Sequence, residues 1–252
     1  MLRRSFVSAA LALSASSLIA TPKRPLLIVG MDAAYPPFGS IEAGTGAYVG
    51  FDVDIIKAIG KAEGFDVEIR NLAFDGLIPA LKSGVIDVAI NDITVTADRA
   101  QSVDFSDRYY IAGLGAVVRK DYDAIKTAVD LEGKKIAVSI GSTGEEAARK
   151  IPNADIRVFN QLNECYMELV NNGVDVVIND LPTNDFYVTN AGQGKVKSLE
   201  LALTREDLAI AVRKGNKMLL RRINRGLGKL KQSGEFTEIY MKWFGRKPPK
   251  DL

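Results

Sequence analysis

Histidine is absent from this 252-residue chain, and cysteine occurs once, at Cys165. Without histidine there is no Ser-His-Asp or Cys-His nucleophile and no His-ligated zinc. A single cysteine cannot close an intramolecular disulfide, whatever the compartment. Cys165 lies in the amphipathic stretch 161–172 and reads as a small buried residue rather than a reactive thiol. An excess of one charge is missing too. The chain has 33 Lys and Arg against 31 Asp and Glu, and the two extra bases are accounted for by Arg3 and Arg4 at its start. Bulk electrostatics therefore gives no reason to expect nucleic acid or an acidic membrane as partner. The phosphate-cradling patterns G-x-x-x-x-G-K-[ST] and G-x-G-x-x-G do not occur, so Gly141-Ser142-Thr143-Gly144 has no nucleotide reading, and no cofactor or metal is implied. Beyond residue 20 no apolar run approaches a membrane-spanning length.

Residues 1–20 have the layout of a secretory signal peptide: Arg3 and Arg4, a short apolar run from Phe6 to Leu13, then small residues up to Ala20. Cleavage is expected after Ala20, although Leu18 is larger than the residue usually found two positions earlier. No cysteine is near, which excludes a lipid anchor on an N-terminal Cys. The remainder has the length of one large or two small domains, and 47% apolar with 25% charged residues is an ordinary globular composition.

Strand-like and helix-like segments alternate from residue 26 onward. Leu26 to Val29 reads as a strand, Asp52 to Ala62 as a helix with Ile55, Ile59 and Ala62 on one face, and Asp66 to Arg70 as a strand. Phe74 to Lys82 reads as a helix closed by Gly84, and Val85 to Ile90 as a strand. A second series repeats this order: strand from Ile136 to Ser139, helix from Thr143 to Lys150, strand from Ile156 to Phe159, helix from Leu162 to Val170, strand from Val174 to Ile178. The order βαβαβ, found twice, predicts an α/β fold of two parallel-sheet lobes. Two extended runs, Ala112 to Arg119 and Asp207 to Val212, are expected to cross between the lobes and form a hinge. The expected division is lobe one over 21–113 and 207–252, and lobe two over 114–206. Helices are expected at Lys217 to Lys231 and Phe236 to Phe244. The bases of the former (Lys217, Arg221, Arg222, Arg225, Lys229, Lys231) read as a solvated face opposite an inward stripe of Leu219, Ile223, Leu227 and Leu230.

In open parallel sheets ligands sit outside the carboxyl ends of the strands. There the sequence places Asp32 and Tyr35 after the first strand, Asn91, Asp92, Thr94 and Arg99 after the Val85 run, Ser139 to Gly144 at the second lobe's first strand, and Asp180 at its third. Taken singly, each fits a structural role: Asp32 as a turn cap, Thr143 as a helix N-cap, Arg99 as a surface charge paired with Asp98 or Asp104. Together they suit an α-amino acid. Arg99 offers a bidentate fork for a carboxylate, the turn at Ser142 and Thr143 offers backbone N–H groups, and Asp180 offers an anion for an ammonium.

The chain resembles the polar amino-acid-binding family of bacterial ABC-transporter periplasmic substrate-binding proteins, which includes glutamine and lysine/arginine/ornithine binders. The segments that carry the resemblance are Tyr35-Pro-Pro-Phe38, Gly50-Phe51-Asp52-Val53-Asp54, Phe74 to Pro79, Ile93 to Arg99, Val103 to Asp107 with Tyr109 and Tyr110, and Tyr240 to Gly245. It implies two Rossmann-like lobes on a two-strand hinge, as in type II periplasmic binding proteins. It further implies that Arg99 and Thr143 hold an α-carboxylate and that Asp180 and Thr94 hold the α-ammonium. Tyr35 and Phe74 would flank the stem, and Asp32 would meet the far end of the side chain. Asp52 and Asp54 look structural. The pattern is broken at Asn91 and Asp92, where relatives mostly carry Ser, Gly or Ala. Asp92 either adds negative charge to the pocket or pairs with Arg99 in the empty site.

The expected function is that of a periplasmic monomer which carries a free L-amino acid to an inner-membrane ABC permease. A cationic solute is favoured by Asp32, with glutamine as the alternative because a carboxylate also accepts from an amide N–H. An enzyme on this scaffold, such as a dehydratase, needs a tuned general acid in the cleft, for which Asp32 and Asp92 are the only candidates.

Overall fold

The computed structural model describes residues 24–199 and 201–252; the expected signal peptide at 1–20 lies outside them. Along the chain, β1 (Leu26–Met31) leads into three short antiparallel strands, β2 (Ala34–Tyr35), β3 (Gly39–Ile41) and β4 (Tyr48–Val49). Then come α1 (Phe51–Glu63), β5 (Asp66–Asn71), α2 (Leu77–Ser83), β6 (Val88–Ala89), α3 (Ala97–Ser102) and β7 (Val103–Ala112). The second lobe holds β8 (Leu114–Arg119), β9 (Lys135–Ser139), α4 (Thr143–Ala148), β10 (Asp155–Phe159), α5 (Leu162–Val170), β11 (Val176–Asp180), α6 (Leu181–Thr189) and β12 (Val196–Leu199). The chain ends with β13 (Glu206–Arg213), α7 (Lys217–Ser233) and α8 (Glu235–Phe244).

The two large sheets are built alike, in the orders β5-β1-β6-β13-β7 and β10-β9-β11-β8-β12. In each, three parallel strands from a βαβαβ series are followed by an antiparallel strand that arrives from the other lobe: β13 in the first sheet, β8 in the second. All six parallel strands therefore end toward the space between the lobes, where polar residues at strand ends collect. This is the fold of the type II periplasmic binding proteins.

Several elements differ from the pattern read along the chain. The run from Ala112 to Arg119 is two strands broken at Gly113, where a Cβ would collide with the Thr204 carbonyl on the returning chain. Only Val88 and Ala89 of the Val85 to Ile90 run are strand, because Val85 is 48% exposed at the turn out of α2. Phe74–Gly76 is a 3₁₀ turn ahead of α2. The bases on α7 are not simply solvated: Arg222, Arg225 and Lys229 converge on the buried carboxylate of Glu63, while Ile223, Leu227 and Leu230 face inward.

The first lobe is held by an aromatic cluster. Phe51 packs edge-on against Tyr240 and Phe244, with centroids at 5.6 and 5.0 Å, and Tyr110 stacks on Tyr240 at 5.4 Å. Such pairs add about 0.5–1.5 kcal/mol each beyond burial. Asp54, on the exposed side of α1, accepts from Trp243 Nε1 and Lys242 Nζ at 2.7 Å each, which fastens α8 to α1.

Candidate functional site

The site is assembled from strand ends. A single pocket between the lobes is lined by Asp32, Tyr35, Phe74, Asp92, Thr94 and Arg99 from the first lobe, and by Ser139, Ser142, Thr143, Asn160, Leu162 and Asp180 from the second. Nine of the ten residues expected from the sequence thus meet in one place. The tenth, Asn91, does not line it. Its side chain turns into the sheet, where Oδ1 accepts from the Asp32 amide at 2.8 Å and so fixes the loop that carries Asp32.

Arg99 is buried rather than a surface charge, and Asp104 pairs instead with Lys214 and Lys217. The Arg99 guanidinium donates to the carbonyls of Thr94 (2.9 Å) and, across the cleft, Gly141 (3.0 Å). A guanidinium has five N–H donors, so neutral carbonyls occupy only part of the fork. Its carbon lies 5.4 Å from the Phe74 ring centroid, within cation–π range. Burial lowers its pKa, opposed by the charges of Glu146, Asp180 and Glu206.

Against this one guanidinium stand three buried carboxylates. Asp32 caps its own turn by accepting from the Ala34 amide at 3.1 Å, and burial still raises its pKa, helped by the charge of Asp75. Asp180 ends β11 and is pushed up to about 7 by burial and then by Glu206. Asp92 is raised well above the carboxylate range by burial, with the charges of Asp180 and Asp52 adding to it. One oxygen each of Asp92 and Asp180 is buried without a hydrogen-bond partner among the described residues.

Asp92 does not pair with Arg99. It sits in the left-handed region, φ 53°, with its amide donating to Asp52 Oδ2 at 2.9 Å. That bond explains why Asp52 is buried at the start of α1: it pins the turn that aims Asp92 into the cleft. The other oxygen of Asp92 accepts from Thr183 Oγ1 across the cleft at 3.5 Å. The Tyr35 hydroxyl also bridges the lobes, donating to Asn179 Oδ1 and lying 3.4 Å from Asp180 Oδ2.

Ser142, not Thr143, N-caps α4, its Oγ accepting from the Glu145 amide at 3.1 Å. Thr143 is the first helical residue, and Gly144 follows because a Cβ there would lie 2.8 Å from the Ile178 carbonyl. Asn160 and Leu162 were missed from sequence, although Asn160 directly follows β10 and the strand-end rule reaches it. Glu206 was also missed: it accepts from Thr94 Oγ1 (2.6 Å), Thr143 Oγ1 (2.9 Å) and Thr204 Oγ1 (2.8 Å). Cys165 is fully buried, and burial lifts its thiol to about 12.

Residues 27–246 match the profile of the bacterial extracellular solute-binding proteins, family 3. The L-cystine-binding protein TcyJ of Escherichia coli (strain K12) is 33% identical over 88% of this chain and 84% of its own. The L-arginine-binding protein of Pseudomonas aeruginosa is 34% identical over 93% of this chain and 94% of its own. Among solved structures, an ancestral arginine-binding protein bound to arginine superposes with a TM-score of 0.85, at 42% identity, over 88% of this chain and 100% of its own.

Proposed function

The chain belongs to the bacterial extracellular solute-binding proteins of family 3, and we propose that its solute is a free L-amino acid with a cationic side chain, carried through the periplasm to an inner-membrane ABC permease. It is a binding protein, not an enzyme. The observation that carries the choice of solute is the charge of the pocket wall, where Asp32, Asp92 and Asp180 face one guanidinium, that of Arg99. One ligand carboxylate satisfies Arg99, and two ligand cations, the α-ammonium and the side chain, answer Asp180 and Asp32.

In this reading Arg99 and the Thr143 turn take the α-carboxylate, while Asp180 and Thr94 take the α-ammonium. Tyr35 and Phe74 line the stem, Asp32 receives the distal cation, and Ser139 and Asp92 complete the wall; Asn91 supports Asp32 from behind. Residues of both lobes are engaged, so the ligand stabilises the closed form over the open one. The protein works as a monomer, the hinge lying at Gly113 and at the returning segment 201–205.

Glutamine is the second reading, favoured by Asp32, whose carboxylate accepts equally from an amide N–H. A thermal-shift screen of the secreted chain over the twenty amino acids and ornithine tests both. At a hundredfold excess over its dissociation constant a ligand adds about 2.7 kcal/mol, and arginine, lysine or ornithine is expected to give the largest shift. A shift from glutamine with none from the cationic amino acids would move the assignment to the amide; no shift from any amino acid would overturn it.

A further inference from the structure

Glu206 opens β13 and is 8% exposed. Its carboxylate gathers three hydroxyls from three parts of the chain: Thr94 after β6, Thr143 on α4 in the other lobe, and Thr204 on the returning segment. Thr94 and Thr143 line the ligand pocket on one side and, on the other, a hinge groove that Glu206 and Thr204 also line. Glu206 thus stands behind the two threonines.

A hydroxyl has one proton and two lone pairs, and a carboxylate has no proton to give. Both threonines spend their proton on the same oxygen, Glu206 Oε2. What each then turns to the pocket is a lone pair. We infer that Glu206 is a positioning residue of the ligand site: it holds Thr94 and Thr143 as hydrogen-bond acceptors, so that the site selects a ligand bearing an ammonium and closes on it. The inference rests on the reading of the pocket as an amino-acid site and adds to it the residue that sets its polarity. One consequence is that the Thr143 hydroxyl has no proton for the ligand carboxylate, which leaves that end to Arg99 and the backbone N–H groups of the Thr143 turn. Another is that the Thr143–Glu206 bond ties the second lobe to the crossing strand and is made only when the lobes are together.

The test is Glu206→Gln in the secreted chain, titrated by calorimetry with L-arginine and with 5-guanidinopentanoate, the same molecule without its α-ammonium. The glutamine amide donates where the carboxylate accepted, freeing a threonine proton to point at the pocket. Arginine affinity is expected to fall at least about tenfold, while affinity for the deaminated analogue stays within about twofold. Thr94→Val gives the second readout: it should weaken arginine too, and the double variant should lose less than the sum of the two single losses, because part of the Glu206 effect runs through Thr94. Equal weakening of both ligands, or additive losses in the double variant, would assign Glu206 a merely structural role and overturn the inference. Failure of the parent protein to bind any amino acid would instead overturn the reading of the pocket, and this inference with it.

Discussion

Glu63 at the end of α1 and Asp180 in the cleft are both buried, yet one is paired directly with bases and the other is not. Glu63 accepts from Arg225 and Lys229, with Arg222 at 3.8 Å, and the Arg225 bond above all lowers its carboxyl to about 2. Asp180 is raised to about 7 by burial and then by the charge of Glu206, which outweigh the opposing charge of Arg99. Ion pairs that close within the chain hold α7 against α1. Carboxylates left without an ion-pair partner cost stability, and three of them, Asp32, Asp92 and Asp180, line the same pocket. In the proposed reading, the difference separates charge that serves the fold from charge kept for a ligand.

The largest expected effect breaks the one cationic contact in the cleft. Arg99→Ala should cost about 3 kcal/mol or more of binding for every amino acid tested, since a buried charge-assisted fork is lost. Calorimetry checks this, and circular dichroism should show the variant folded. Next, Asp180→Asn and Glu63→Gln should move in opposite directions. Asp180→Asn is expected to weaken arginine binding by about 2 kcal/mol while raising the melting temperature of the free protein. Glu63→Gln should lower stability by roughly 1–2 kcal/mol and leave affinity unchanged. A fall in melting temperature for both would erase the distinction.

Asp52 sharpens the comparison within one lobe. Burial raises its carboxyl to about 7, against the lesser opposing bond from the Asp92 amide. A carboxyl raised in the folded state binds its proton more tightly there than in the unfolded chain. Its contribution is therefore fully present below the unfolded value near pH 4 and is lost as pH rises through about 7. Glu63 has the opposite sign: its contribution is present above about pH 4 and is lost as pH falls through about 2. The free protein should thus melt lower at pH 8 than at pH 5, and Asp52→Asn should remove a share of that slope worth roughly 2 kcal/mol, or about 6 °C.

Much of this was legible along the chain, for a physical reason. Parallel strands in an open sheet carry their polar residues at their carboxyl ends, so Asp32, Asp92, Thr94, Ser139, Thr143 and Asp180 could be picked out by position alone. The doubled βαβαβ order foretold the two sheets. Asn91 escaped correct reading because neighbours on a turn point opposite ways, and the left-handed turn at Asp92 sends one into the sheet and the other into the cleft. Glu206 escaped because its threonine partners in the site lie 112 and 63 positions away, and it reads as the polar start of an apolar strand. The break at Gly113 was hidden in a run that stays apolar through it. The segments that carried the resemblance are of two kinds: some supply the aromatic core, where Phe38, Phe51, Tyr110, Tyr240 and Phe244 pack on one another, and others supply Tyr35, Phe74, Thr94 and Arg99 to the pocket.

The central claim is that the cleft carboxylates oppose closure until a cation lies between them. Small-angle scattering at pH 8 reads it directly, on the free protein, on the protein with saturating L-arginine, and on free Asp180→Asn. The account predicts a smaller radius of gyration with arginine than without, and a free Asp180→Asn already shifted toward the compact value. One radius shared by all three would contradict it.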